Sequence, residues 1–383
     1  VQQTALLDTP ATGTAGVLGG DVAVAAAGFA GGVVDASVSY NEVGSLRIDA
    51  LATGYLGSGV AVTGQSPVIG RVYPADFELQ GGSLTPACAG DFTYMDQPAL
   101  GIAYTLAARN RAGQVTVNYA GDPADAGRPY NVGTVAFAAE DDDDGIDRAP
   151  RLFAAPGATW AAGILDVADP AARFARLADP DGPFEALVIG LRVADPDGVV
   201  VTAPDMNPVT TGDCTLDGSC DARAIDSTVL RYGRLEAANV AGSEAATLTM
   251  PVRSRYFLNG AFVASTQDAC TTLAVSDLVL SNAAASDVRS GTIAIGGGST
   301  SVSLVNPTAV AGVLDAAFTA PGPGNTGYVD VFIDLSTATG ADAPWLAYDW
   351  DDNPLTPDEG PRARATFGIY SGNEGQIYLR EEY

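Results

Sequence analysis

The chain is a succession of short apolar runs, each ended within a few residues by glycine, proline, asparagine or aspartate. It contains 45 glycines and 23 prolines in 383 residues, without the three-residue period of collagen. Runs rich in valine, threonine, isoleucine and tyrosine between such residues are typical of β-strands joined by turns. Hydrophobic residues make up 47% of the chain, which is enough for a sizeable core. The pattern predicts an all-β protein built of tandem immunoglobulin-like β-sandwich domains.

The length exceeds that of one ordinary sandwich, so two or three domains are expected. We place them as an N-terminal β-rich segment or small β-sandwich domain, a β-sandwich domain with an acidic-loop insertion, and a C-terminal β-sandwich domain, at 1–69, 70–225 and 226–383. Alternating apolar residues in 33–40 and 45–53 predict an antiparallel pair in the first domain. In the second domain, 102–108 and 114–119 read as the two strands of a hairpin.

Two further hairpins are predicted near the end of the chain. Asn259-Gly260 is a two-residue turn of the kind that joins paired strands. Later, the runs 365–370 and 376–380 flank a Ser-Gly-Asn turn. Arg362 and Arg364 alternate with alanines, so both are expected on one face of a strand and paired with acids inside the protein.

The charge of the chain is strongly negative. Asp and Glu number 46 against 19 arginines and no lysine, for a net charge of −27. Affinity for phosphate requires cations, so this balance argues against nucleic acid as a partner. No stretch of about 18 apolar residues is present, so no transmembrane segment is expected. Strong acidity is ordinarily a property of a solvated surface and only sometimes a device for binding cations.

Four cysteines, Cys88, Cys214, Cys220 and Cys270, permit three disulfide pairings. Cys214 and Cys220 flank an Asp-Gly turn and would staple a short loop, which leaves Cys88 to pair with Cys270. A zinc site is the competing interpretation, but the spacing lacks a close pair of ligands. Disulfides imply an oxidising compartment such as the periplasm, the cell surface or the medium.

Catalytic motifs are largely excluded by the absence of histidine. This removes Ser-His-Asp and Cys-His machinery and histidine-based zinc sites. Nucleophile-elbow and P-loop motifs are also absent from the sequence. A glycosidase needs only two carboxylates, so a carbohydrate-active protein remains an alternative. We otherwise expect no enzymatic activity and no certain cofactor.

Two acidic segments could bind calcium, which takes six to eight oxygen ligands. In 140–147, Asp141, Asp143 and Asp147 alternate around a glycine like the start of a calcium loop. The second segment offers Asp349, Asp351 and Asn353. Both lack the complete ligand spacing of an EF-hand, and a solvated acidic loop is the other interpretation of each.

Several segments resemble, in order along the chain, the C-terminal region of MshQ-type proteins, which are encoded with the mannose-sensitive haemagglutinin (MSHA) type IV pilus. The segments are YNEVGSL, GRVYPADF, FTYMDQP, AARNRAGQVTVNYAG, RYGRLEAANVAGSE, APWLAYDW and the C-terminal run, at 40–46, 70–77, 92–98, 107–121, 231–244, 343–350 and 361–383, with 268–273 a further match. The resemblance implies an exported, surface-associated protein without enzymatic activity and identifies no ligand.

These observations lead to one main expectation of function and two alternatives. The main expectation is an exported structural or adhesion module of the cell surface or pilus of a Gram-negative bacterium. Its partners would be pilus or cell-surface proteins, or a host or surface glycan. The alternatives are a carbohydrate-binding or carbohydrate-cleaving protein and a subunit of an extracellular fibre or surface layer.

Overall fold

The computed structural model describes residues 1–88, 92–124, 130–157, 159–336, 343–350 and 359–368. The protein is all-β, as predicted, and the helices of the described residues are five single turns of 3-10 helix. They are Ala26–Gly28, Tyr55–Gly57, Ala149–Arg151, Val275–Asp277 and Pro344–Leu346. No helix among the described residues has the length and apolar character needed to cross a membrane.

The chain forms two compact units, and neither is continuous in sequence. Unit 1 comprises Val1–Thr85, Ala99–Ala172 and Ala186–Thr228. Unit 2 comprises Pro86–Pro98, Arg173–Glu185 and Val229–Tyr383. This division differs from the three successive domains expected from the sequence, because two short segments from the first half of the chain belong to unit 2.

Unit 1 contains four groups of paired strands. A four-stranded sheet holds β1 (Gln2–Thr9), β4 (Gly44–Ala52), β5 (Val62–Gln65) and β6 (Ile69–Val72), beside a ribbon of β2 (Leu18–Gly20) and β3 (Val38–Tyr40). A second sheet has the order β11 (Leu152–Phe153), β12 (Ile164–Phe174), β9 (Leu100–Arg109) and β7 (Asp76–Thr85). A third has the order β10 (Thr134–Glu140), β13 (Phe184–Ala194) and β14 (Arg223–Arg231).

Three aromatic side chains form the centre of the unit 1 core. The Phe77, Tyr119 and Trp160 rings lie 4.9–5.4 Å apart between centroids, and each is at most 2% exposed. Such tilted and edge-to-face contacts add to the free energy gained by burying the rings. The Trp160 indole N–H donates to the Gly133 carbonyl at 3.2 Å, which satisfies its polar group.

One predicted strand pairing in unit 1 is wrong, and a second is present only at its turn. The run 33–40 does not pair with 45–53; β3 pairs with β2, and β4 pairs with β1 over seven registered positions. The run 102–108 meets 114–119 only at the turn, where Arg109 forms a single bridge to Val115 and the Thr116 N–H donates to the Ala108 carbonyl at 2.9 Å. Both edges of β9 are otherwise occupied by β7 and β12. β4 and β9 therefore make their long ladders with strands other than the predicted neighbours.

Unit 2 contains three sheets. The first has the order β15 (Gly233–Ala237), β18 (Val252–Leu258) and β19 (Ala261–Ala264). The second has the order β16 (Val240–Gly242), β25 (Arg362–Phe367), β24 (Gly327–Ile333) and β20 (Leu278–Ser281). The third has the order β17 (Leu248–Met250), β23 (Ala316–Phe318), β22 (Gly298–Leu304) and β21 (Thr292–Ile295). The last two residues of β14 pair in parallel with β8 (Thr93–Tyr94). The side chains that face inward from these strands form one apolar core.

The hairpin predicted at Asn259-Gly260 is confirmed, with β18 and β19 paired antiparallel on either side of the turn. β25 contains the start of the strand predicted at 365–370, and the rest of the predicted terminal hairpin lies outside the described residues. Arg362 and Arg364 lie on the exposed face of β25, whereas Ala363 and Ala365 are buried. The expected alternation is therefore present.

Candidate functional site

The structure contains the two disulfides expected from the sequence. The long disulfide joins Cys88 to Cys270, 182 positions apart. The short disulfide joins Cys214 to Cys220, six positions apart. With the domain bounds expected from the sequence, 70–225 and 226–383, the long disulfide would tie the second domain to the third. Instead both of its cysteines belong to unit 2, since Cys88 lies in the segment Pro86–Pro98 of that unit.

A fully buried carboxylate, Asp268, lies beside the long disulfide. The backbone N–H groups of Cys270 and Thr271 donate to one of its oxygens at 3.0 Å each. The other oxygen accepts hydrogen bonds from the Thr271 hydroxyl at 2.7 Å and the Tyr94 hydroxyl at 3.1 Å. A buried carboxylate is tolerated when several donors replace its lost hydration. Burial, with the charge of Asp268 nearby, raises the pKa of Tyr94, so its hydroxyl remains a donor.

The Asp268 cluster is not a metal site. Among the described residues, Cys88, Asp268 and Cys270 are the one group that places three potential metal-ligand atoms within 4.8 Å of one another. Both sulfurs are committed to the long disulfide. A thiolate is what binds a metal, so these sulfurs are not ligands.

Segments of unit 2 that are far apart in the sequence meet in this buried region. Arg231, 6% exposed, has its guanidinium between the Phe92 and Tyr256 rings, 4.5 and 4.4 Å from their centroids. Arg176 donates to two backbone carbonyls of the 343–350 segment, at 3.1 and 2.8 Å. Cation–π contacts and hydrogen bonds of this kind stabilise the fold. These segments therefore support the architecture of unit 2.

Two of the resembling segments meet in unit 1 as well. Glu42, 7% exposed, accepts hydrogen bonds from the backbone N–H groups of Val117 and Asn118 at 3.0 and 3.2 Å. The Asn118 side-chain amide donates to the carbonyls of Thr14 and Val43 at 2.9 and 3.2 Å. These bonds fix the 107–121 loop to the start of β4 and satisfy the buried carboxylate within the protein.

The acidic loop, which we define as residues 141–147, follows β10. Asp141, Asp143 and Asp147, the predicted ligands, do not form a cluster of three carboxylates within ligand distance in the described residues. Asp147 accepts a hydrogen bond from the Ala149 N–H at 2.9 Å and lies 3.8 Å from Arg192. Asp143 is exposed. Burial raises the pKa of Asp141, against the neighbouring Arg148 charge.

Arg148 organises the acidic loop. Its guanidinium donates to both carboxylate oxygens of Asp144, at 2.9 and 2.6 Å, and this hydrogen bonding lowers the pKa of Asp144. The Arg148 backbone N–H donates to the Ala139 carbonyl at 2.8 Å, which brings the end of the loop back to β10. The sequence reasoning missed this ion pair, although its i,i+4 spacing was visible.

Glu140, the last residue of β10, is the other feature that the sequence reasoning missed. It is 4% exposed, and its Oε2 atom has no hydrogen-bond partner. Burial, followed by repulsion from Asp143, raises its pKa to about 7. Arg192 opposes this rise, but its Nε donates to Asp221 at 2.9 Å. Glu140 thus contrasts with Glu42 and Asp268, whose carboxylates are surrounded by donors.

The second acidic segment is described only in part. Asp349 is half-buried, whereas Asp351 and Asn353 lie outside the described residues. Beside Asp349, the guanidinium of Arg234 lies 3.8 Å from the Phe262 ring centroid, 4.9 Å from that of Tyr348 and 4.8 Å from that of Trp350. Trp350 is 41% exposed. We call Arg234 and these three rings the aromatic patch.

Comparison with known proteins places both units in one family. Residues 42–221 match DUF6701, third domain, and residues 231–382 match DUF6701, fourth domain. The chain belongs to the DUF6701 family. No curated protein matches it. In this DUF6701 chain, Glu42, Asp268 and the acidic loop all lie within the matched ranges, as do both disulfides. The match itself specifies neither a pilus nor a ligand.

Proposed function

We propose that this DUF6701 chain is an exported structural and adhesion module, associated with the bacterial surface or a pilus, that binds partners without catalysing a reaction. One observation carries the proposal: the segments that resemble MshQ-type proteins meet at buried structural contacts, those of Asp268 and Arg231 above all. A rigid β-framework that presents loops is a common way to build a binding surface.

The disulfides support the exported location. Disulfide bonds persist in oxidising compartments and are rare in the cytosol. Two of them in this chain therefore fit a non-cytoplasmic protein. The resemblance to MshQ-type proteins supplies the pilus context, and the membership in DUF6701 is compatible with it.

The location is tested in cells that produce the chain naturally. We expect antibody against unit 2 to label intact cells, and external protease to remove the signal without lysis. Sheared pilus fractions should contain the chain, and mass spectrometry without reductant should show no free thiol. Cytosolic chain with four free thiols would refute the proposal. Chain that purifies as filaments of itself alone would favour the fibre-subunit alternative.

The aromatic patch favours a second function, carbohydrate binding. Partly exposed aromatic rings can stack on the C–H faces of sugars, and the neighbouring Arg234 and Glu236 can hydrogen-bond hydroxyl groups. Arg234 donates to the Glu236 carboxylate at 2.9 Å, so both polar groups are held in place. These features support carbohydrate binding by unit 2.

A glycan array with the full chain tests this second function. We expect Trp350→Ala to abolish any glycan signal and Tyr55→Ala to leave it unchanged. Tyr55 is the matched control because it is an exposed aromatic residue of unit 1. Equal signals from the two variants would exclude the aromatic patch as the binding site.

A further inference from the structure

We propose that Glu140 and Asp143 bind a divalent cation of the calcium type at the base of the acidic loop. The proposal goes beyond the structural and adhesive role, because it assigns a ligand to unit 1. It also changes the calcium site expected from the sequence, in which Asp141, Asp143 and Asp147 were the ligands. Two observations support it. One oxygen of the Glu140 carboxylate is buried without a hydrogen-bond partner, and arginines already neutralise Asp144 and Asp147 of the loop.

Glu140 has a buried carboxylate oxygen that nothing in the protein satisfies. The residue is 4% exposed and its Oε2 atom has no partner. Buried polar atoms are almost always hydrogen-bonded, and a buried charge without a partner is strongly unfavourable. Buried charges that persist are paired or coordinate metals. An unsatisfied carboxylate oxygen beside an acidic loop is therefore the expected form of a cation ligand without its cation.

The arginines near the loop are already engaged with other carboxylates. Arg148 holds both oxygens of Asp144. Arg192 donates to Asp221 at 2.9 Å and lies 3.8 Å from Asp147. The local cations thus compensate Asp144, Asp147 and Asp221. Asp141, Asp142 and Asp143 remain in the loop, and of these Asp143 has the charge that acts most strongly on Glu140, so Glu140 and Asp143 are the pair that a bound cation would neutralise.

The loop backbone keeps Asp143 close to the end of β10. Asp142 and Asp143 have φ values of 54° and 49°, and Gly145 has a φ of 78°. The Gly212 N–H donates to the Asp143 carbonyl at 2.8 Å, which fixes the loop against the 207–213 segment. Left-handed residues turn the chain tightly, so the loop stays close to the end of β10.

Calcium fits this site better than a transition metal. Carboxylate and carbonyl oxygens are hard ligands suited to calcium, and calcium accepts irregular geometry with several waters. With two carboxylates, the dissociation constant should be in the range of about 10⁻⁴ to 10⁻³ M, as in extracellular calcium modules.

The test is calorimetric titration of the chelator-treated full chain with calcium chloride alone. We expect one site in the native chain and at least tenfold weaker binding in Glu140→Gln and in Asp143→Asn. Glu185→Gln is the matched control, because it makes the same chemical change at an exposed position of β13. With about 10 mM calcium, the native chain should melt about 3 °C higher or more, and Glu140→Gln should not shift.

Two results would overturn the proposal. One is a native chain that shows neither binding heat nor a change in melting temperature up to about 10 mM calcium, well above the expected dissociation constant. The other is binding that Glu140→Gln retains at full strength, which would move the cation elsewhere. If Glu140→Gln proves poorly folded, Asp143→Asn decides, because an exposed Asp to Asn change leaves the fold intact.

Discussion

Replacing Glu140 by glutamine should make unit 1 more stable at neutral and alkaline pH when calcium is absent. The pKa of Glu140 in the folded protein is about 7, against 4.5 for the free side chain. The folded form therefore binds the proton more tightly than the unfolded form. The free energy of unfolding therefore falls as the pH rises from about 4.5 to about 7, and it falls no further above that range. Glutamine cannot ionise, so the variant does not lose this stability.

The magnitude follows from the difference between the two pKa values. Each pKa unit corresponds to about 1.36 kcal/mol, so the difference between 4.5 and about 7 gives about 3 kcal/mol at pH 8. At pH 4.5 Glu140 is protonated in the folded state and half-ionised in the unfolded state, so the variant should gain only about 0.4 kcal/mol, and less at lower pH. Asp143, Asp144, Asp147 and Arg192 also act on Glu140. They are present in both proteins, so their own ionisation largely cancels from the comparison.

The assay is urea denaturation in the presence of a calcium chelator at pH 4.5 and at pH 8. Trp160 fluorescence reports on unit 1 once Trp345 and Trp350 of unit 2 are replaced by phenylalanine in all the proteins compared, because Trp160 is 2% exposed in the core of unit 1. We expect the free energy of unfolding of Glu140→Gln to exceed that of the native chain by about 3 kcal/mol at pH 8 and by little at pH 4.5. Glu185→Gln should match the native chain at both values. A stability difference that does not depend on pH would refute the reasoning.

Three further predictions concern unit 2. Replacing both Cys88 and Cys270 by serine should destabilise the chain by about 5 kcal/mol on loop-entropy grounds, against about 2 kcal/mol for the short disulfide; equal urea midpoints for the two double variants would contradict this. Asp268→Asn should lower the free energy of unfolding by about 2 kcal/mol, because an amide cannot accept all four hydrogen bonds; an unchanged thermal midpoint would refute it. Gly233→Ala should destabilise unit 2 by about 1–3 kcal/mol, since its added carbon would meet the Tyr94 ring at less than 3.0 Å; native-like melting would show that the ring yields.

Local signals in the sequence predicted the parts of the fold that depend on neighbouring residues. The Asn259-Gly260 hairpin is fixed by its turn, and the alternation around Arg362 follows from the two-residue period of a strand. The short disulfide is also a local feature. The partner of β4 could not be predicted in this way. That partner is β1, some 40 positions away, and such pairings depend on which strands compete for the same edge.

Dependence on contacts between distant residues also limited what the sequence could predict about ligands in the acidic loop. Alternate aspartates predicted three ligands, but whether a carboxylate is available depends on which cations fold back onto it. Arg148 is four residues from Asp144, whereas Arg192 and Asp221 come from other strands and loops. The apolar run before Glu140 suggested a strand, yet the burial of its terminal carboxylate depends on packing beyond that strand. Tertiary contacts therefore decide which carboxylates of the loop remain available to a cation, and the sequence alone does not show them.

Three buried carboxylates show where the protein stabilises its own fold and where it leaves a requirement unmet. Glu42 and Asp268 each lie among backbone and hydroxyl donors that replace water, so each strengthens the segment that surrounds it. Glu140 is equally buried, but one of its oxygens has no donor. At neutral pH this carboxylate weakens unit 1 unless a cation enters, so calcium should stabilise the native chain where calcium is abundant. The difference between the three carboxylates therefore requires two results together. Calcium should raise the stability of unit 1 in the native chain, and Glu140→Gln should already have the higher stability without calcium.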